Sequence, residues 1–179
     1  MSLLIHACCA PCLTYTHKYF RDQYNGEITV LWYNPNIHPF KEYEKRLRAM
    51  IDFQKKTEMD VIYVDEYDLG MFLEGALKAK SRCQFCYKFR LSKTAQIAKK
   101  KGYDAFTTTL TISPYQDHDL IKKIGKDEGK KNDIEFIYKD LTDGFYKSHE
   151  LANKLNLYKQ GYCGCIFSER DRYEKKIIE

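Results

Sequence analysis

The sequence has little that would carry its chain out of an aqueous, reducing compartment. Its apolar runs span only a few residues, far below the ~20 needed to cross a bilayer. The opening "MSLLIHA" carries no basic leader, extended apolar segment or small-residue cleavage site. Secretion and membrane attachment are therefore not expected, and a cytoplasmic address is. Nine glycines and four prolines form no linker, and no repeat or low-complexity tract interrupts the 179 residues. Residues 1–179 are read as one α/β domain. Neither sign of charge dominates: 30 basic residues face 25 acidic ones, for a net charge of +5. That balance suits a polyanionic partner such as nucleic acid, and equally a plain solvated surface. The 44% hydrophobic content is enough for a real core.

Cysteine is what the chain has in excess. All seven fall in three short motifs: Cys8, Cys9 and Cys12; Cys83 and Cys86; Cys163 and Cys165. A reducing compartment disfavours a structural disulfide framework, and scattered core thiols would not cluster. Metal or redox chemistry is the expectation. Thiolates suit zinc, iron and iron–sulfur clusters. Seven exceed one tetrahedral site, so the surplus implies a cluster with either a second metal or a redox dithiol. In extended backbone the side chains of Cys8 and Cys9 should diverge. They would then serve a cluster more easily than one small ion, or be split between neighbouring metals. A disulfide across Cys163-Gly164-Cys165 would close a small, strained ring that is readily reduced. That pair suits electron relay or metal ligation.

The pattern of apolar residues predicts strands at 3–7, 28–34, 60–64, 104–110 and 134–138. Helices are expected at 13–24, 39–57, 67–80, 85–101, 117–131, 144–155 and 167–178. Alternation of this kind predicts a parallel sheet covered on both faces. Ligands then bind beyond the carboxyl ends of the strands, where strand order reverses. Cys8, Cys9 and Cys12 follow the first strand, and "TISPYQ" (111–116) follows the fourth, so both should face one crevice.

Five motifs carry a family resemblance: "HACCAPC" (6–12), "YNPNIHP" (33–39) with "EYEKR" (42–46), "SRCQFCYKFRL" (81–91), "FTTTLTISPYQ" (106–116) and "YKQGYCGCIFS" (158–168). In this order they resemble the cobalamin-independent epoxyqueuosine reductases, nearly end to end. At "YKDLTDGFYKSHEL" (138–151) the chain departs, with Leu141 and Thr142 in place of an aromatic residue and an arginine. The resemblance implies a Rossmann-like, adenine nucleotide α-hydrolase-like fold: a doubly wound parallel sheet of about five strands flanked by helices. It implies deoxygenation of epoxyqueuosine to queuosine at the tRNA wobble position, the last step of queuosine biosynthesis. It also implies a 4Fe-4S cluster, a candidate second mononuclear metal (iron or zinc) and a redox-active terminal pair. Where ATP-using relatives of the fold carry a phosphate loop, this chain reads CCAPC, so neither ATP nor cobalamin is expected.

On this basis the expected cluster ligands are Cys8, Cys9, Cys83 and Cys86. Cys163 and Cys165 are the redox pair or second-metal ligands, with Cys12 beside them. Partners are a tRNA bearing epoxyqueuosine in its anticodon loop and an electron-donor protein. Asn34, His38, Glu42, Arg46, Ser113, Tyr115 and Gln116 are substrate candidates. Each has a plainer reading: His38 as a capping or packing residue, Glu42 and Arg46 as a surface pair one helical turn apart. His6 is expected as a satisfied core histidine, and Thr108, Thr109 and Thr111 as strand propensity. Two other functions fit parts of the pattern. A cluster-dependent tRNA sulfur transferase would need the missing phosphate loop, and a zinc-stabilised RNA-binding module would be colourless.

Overall fold

The computed structural model describes residues 1–175. Five strands form one parallel sheet in the order β3-β2-β1-β4-β5: β1 (Leu3–Ala7), β2 (Ile28–Trp32), β3 (Asp60–Tyr63), β4 (Ala105–Thr108) and β5 (Glu135–Phe136). Seven helices accompany them: α1 (Ala10–Gln23), α2 (Phe40–Thr57), α3 (Leu69–Lys78), α4 (Arg82–Lys101), α5 (His118–Asn132), α6 (Phe145–Lys154) and α7 (Ile166–Tyr173). This is the expected Rossmann-like architecture. Residues 176–178 of the expected last helix lie outside the described residues.

The alternation of a strand distributes β1 between two cores. Leu3, Ile5 and Ala7 pack with Trp32, Leu13, Phe20, Tyr43 and Met50 beneath α1 and α2. Leu4 packs the other way, with Leu31, Leu91, Ala95, Phe106 and Ile121 beneath α4 and α5. His6 is fully buried and accounted for, with ring nitrogens 3.0 Å from Thr108 Oγ1 and 3.2 Å from the Tyr33 carbonyl. Burial holds it down to about 3, so it is neutral.

The chain builds the sheet outward through β1, β2 and β3, then returns to place β4 on the other side of β1. The reversal lies between β1 and β4, and there two expected boundaries move. α1 begins at Ala10, not at 13, because Pro11 is already set for a first helical turn. β4 ends at Thr108, and Thr109–Ile112 coil into a 3-10 turn. Pro39 precedes α2 as its N-cap. α4 starts at Arg82, capped by the Ser81 side chain, which accepts from the Gln84 N–H at 3.3 Å. Cys83 and Cys86 are therefore both helical. No described helix is long and apolar enough to cross a membrane.

Candidate metal centre

Each cysteine motif sits at the start of a helix. Cys9 is the N-cap of α1, Cys83 the second residue of α4, and Cys165 the N-cap of α7. Unpaired N–H groups and the positive end of the helix dipole favour thiolates at such places. All seven cysteines are free thiols.

The first group lies at the strand-order reversal. The Sγ atoms of Cys8, Cys9 and Cys12 all lie within 4.8 Å of one another. Cys8 and Cys9 are adjacent, yet their sulfurs are 3.8 Å apart. The expected divergence does not occur, because the strand ends at Ala7 and the chain bends at Cys8. Cys12, one turn into the helix, completes the triad. Thr109 fastens it across the reversal: its hydroxyl accepts from the Cys8 N–H at 3.0 Å and donates to Cys8 Sγ at 3.2 Å. Hydrogen bonds from Cys12 and Cys9, aided by the Arg90 charge, hold the Cys8 thiol well below its ordinary range. Burial pushes Cys9 up, and its hydrogen bonds to Cys8 and Cys9 push Cys12 up. Three soft donors at this spacing fit a thiophilic metal, and binding it displaces protons.

The second group lines a cavity of about 210 Å³. Cys83, Cys86, Cys163 and Cys165 share it with Asn36, Arg82, Tyr87, Arg90, Tyr115, Gln116 and Ser168. Cys86 is buried and pushed up to about 12 by that burial, whereas Cys83 and Cys163 are exposed. The Tyr87 hydroxyl donates to Gln116 Oε1 at 2.8 Å, which turns Gln116 Nε2 toward Cys163 Sγ at 3.5 Å. Tyr115 stands 82% exposed at the rim, its ring 5.8 Å from Phe145.

The loop carrying Cys163 and Cys165 is held from beneath by α2. Arg46 donates to the Cys163 carbonyl at 2.8 Å and to the Tyr162 carbonyl at 3.0 Å. Its Nε donates to Glu42 at 2.7 Å, and the second Glu42 oxygen accepts from Tyr158 at 2.7 Å. The pair is buried, with side chains 2% and 8% exposed, so it is no surface ion pair. The His38 N–H donates to the Gly164 carbonyl at 2.8 Å, and the Tyr162 hydroxyl donates to the His38 carbonyl. The His38 ring is enclosed, without a hydrogen-bond partner on either nitrogen among the described residues, and burial holds it down to about 4. The same loop reaches the first group through Gln160, whose Nε2 donates to Cys9 Sγ at 3.1 Å.

Of the substrate candidates, the structure brings Tyr115 and Gln116 to the cavity. Asn34 ties two strand ends instead, donating to the Ala7 carbonyl at 2.8 Å. Ser113 forms the turn after β4, with its carbonyl accepting from His118 at 2.9 Å. Glu42, Arg46 and His38 support the cysteine loop. Leu141, where the chain departs from the resembled pattern, is buried core. Arg90, Asn36, Thr109 and Gln160 were not singled out from the sequence as site residues. Arg90 had a readable signal, since it lies one helical turn beyond Cys86.

A family model described as epoxyqueuosine reductase QueH matches residues 3–171. A curated relative from Dehalococcoides mccartyi named epoxyqueuosine reductase QueH is 36% identical, covering 97% of this chain and 95% of that protein. A relative of the same name from Thermotoga maritima is 37% identical, covering 97% and 93%. Among solved structures, a predicted subunit of tRNA methyltransferase from Methanocaldococcus jannaschii is similar in fold alone. It has a TM-score of 0.53 and 13% identity, over 86% of this chain and 74% of that one.

Proposed function

Because the chain belongs to the epoxyqueuosine reductase QueH family, we propose that it removes the epoxide oxygen of epoxyqueuosine in tRNA, using thiolate-held iron. The observation that carries this reading is that seven free thiols from three helix starts form two groups, a triad at the strand-order reversal and four thiols lining one cavity. The reaction balances as epoxide plus two electrons and two protons giving alkene plus water. Oxidation of the Cys163 and Cys165 thiols to a disulfide supplies those two electrons and two protons. An electron-donor protein then restores the dithiol.

The proposed cofactor is a 4Fe-4S cluster on Cys8, Cys9, Cys83 and Cys86, and it would supply electron transfer near the epoxide. In support, the charge of one buried guanidinium, that of Arg90, favours the thiolate form of both Cys8 and Cys86. Cys163 and Cys165 sit on a loop, with Cys163 exposed to an incoming reductant. Glu42, Arg46 and Tyr158 fix that loop's backbone. Gln116 orients Cys163, and Tyr115 offers a face for an unpaired base. Ser113 shapes this rim, while Asn34 and His38 hold the strand ends and the loop behind it.

A second partition has its own support. The triad spacing suits a single ion, iron or zinc, on Cys8, Cys9 and Cys12. The shared cavity would then hold the cluster among Cys83, Cys86, Cys163 and Cys165. Counting iron and sulfide in single Cys→Ser variants after anaerobic reconstitution separates the two. A full cluster in Cys83→Ser would sink both. A full cluster in Cys163→Ser favours the first, and its loss the second. The function itself is tested by anaerobic incubation with epoxyqueuosine-containing tRNA and a reductant. Nucleoside mass analysis should show loss of one oxygen; an unchanged mass with an intact cluster would refute it.

A further inference from the structure

Arg90 is 2% exposed and lies one turn beyond Cys86 on α4. Among the described residues its guanidinium makes no hydrogen bond and no ion pair, and Nε and Nη2 are enclosed without a partner. A buried cation in this condition is among the most costly arrangements a fold can hold. The cavity it lines contains four thiols and a second guanidinium, Arg82, but no carboxylate. Arg82 is already paired with Asp171. The groups that favour the Arg90 charge are Cys86, Cys8, Cys163 and Tyr87. The four thiols of the cavity therefore share it with one unsatisfied cation.

We infer that Arg90 is the counter-charge of the metal–sulfur group, with its free Nε and Nη2 donating to the sulfurs gathered between Cys8, Cys86 and Cys163. The inference rests on the thiolate-held iron proposed above, under either partition, since those three thiols span both groups. Thiolates and sulfides bring net negative charge into a buried site. The planar guanidinium fork can meet it with two donors where an ammonium offers a point charge. Hydrogen bonds and positive charge at the sulfurs raise a cluster's reduction potential. Arg90 is thus a positioning residue that makes the group easier to reduce, and the thiolate site in turn relieves its isolation.

The test compares wild type, Arg90→Met and Arg90→Lys after anaerobic reconstitution. It uses iron counts, a spectroscopic redox titration, and thermal melts of metal-free and loaded protein. Metal-free Arg90→Met should melt at or above the wild-type temperature, because an unpaired buried charge has been removed. Loaded, it should melt below loaded wild type and titrate at a more negative potential, with Arg90→Lys in between. Should Arg90→Met take up no iron, Arg90→Lys carries the potential measurement, and intact metal-free melting with lost loading supports the inference. Equal potentials at equal iron content overturn the inference and leave the functional reading standing. Metal-free Arg90→Met melting below wild type, or failing to fold, also overturns it by showing a merely structural role. Wild type that binds no iron overturns the functional reading and the inference together.

Discussion

The two thiol groups are built on opposite terms. Cys8 and Cys9 stand between a central strand and its following helix and Cys12 in that helix's first turn, with Cys9 and Cys12 buried. Their positions follow from the register of β1 with β2 and β4 and from the entry into α1. Cys163 and Cys165 belong to a loop whose backbone is held by side chains of another element, chiefly Arg46. Cys83 and Cys86 span the difference, one exposed and one buried on the same helical turn. A strand-anchored group keeps its geometry through a reaction cycle, while a loop-anchored pair can change its bonding. Permanent ligation suits the first and redox exchange the second.

The largest effect should come from breaking the anchored side. Cys9→Ser should strip iron and lower turnover at least ~100-fold, whereas Cys163→Ser should keep its iron and still lose turnover. Iron analysis beside a tRNA reduction assay reads both. If the two variants lose iron equally, the contrast collapses.

Next in size is the loop's support. Arg46→Met leaves Glu42 buried without its cation and frees two loop carbonyls, a change that costs about 3–5 kcal/mol for buried pairs. Denaturant unfolding should show this loss, and the double variant with Glu42→Gln should recover part of it. Alkylation of Cys163 should also quicken in Arg46→Met while that of Cys9 stays slow. Uniform quickening would mean that the loop and the sheet edge are one unit.

Tyr115→Ala tests the open rim. Stacking of one base on an aromatic ring is worth about 1–3 kcal/mol, so affinity for an anticodon stem-loop should fall about 5- to 150-fold. Tyr115→Phe should bind as wild type. The smallest effect concerns α1 away from its cysteine end, at His17. Burial and the Arg21 charge hold His17 down to about 4. Above its unfolded value of about 6.5 the ring is neutral in both states and contributes no pH dependence. Below that value the unfolded chain takes up the proton first. Stability therefore falls as pH drops from about 6.5 toward 4, by about 1.4 kcal/mol per unit at most. His17→Gln should flatten that window in thermal melts, while the thiol groups keep their reactivity.

Much of this was legible in the sequence because it is local. Strand and helix order follow from apolar periodicity, and the position of Cys8 and Cys9 follows from the rule for strand-order reversals. Boundaries were missed where Pro11 starts α1 earlier than the apolar pattern does, and where Thr109–Ile112 coil into a 3-10 turn after β4. What stayed hidden depends on chain segments that return from far away. Glu42 and Arg46 look like an ordinary surface pair until the 158–165 loop covers them. Thr109 looks like strand propensity until β4 lies beside β1.

The three helix starts also dictate an order of assembly. Their thiols are far apart along the chain, and closing such long loops carries an entropic cost that grows slowly with length. No fragment that stops short of Cys86 holds the four proposed cluster donors. Iron delivered early would meet partial sites, each able to trap a wrong pairing of segments. On the proposed ligands, correct loading waits for the sheet that brings the starts of α1 and α4 together, and the loaded centre would then clasp two helix starts of a fold that had to form without it.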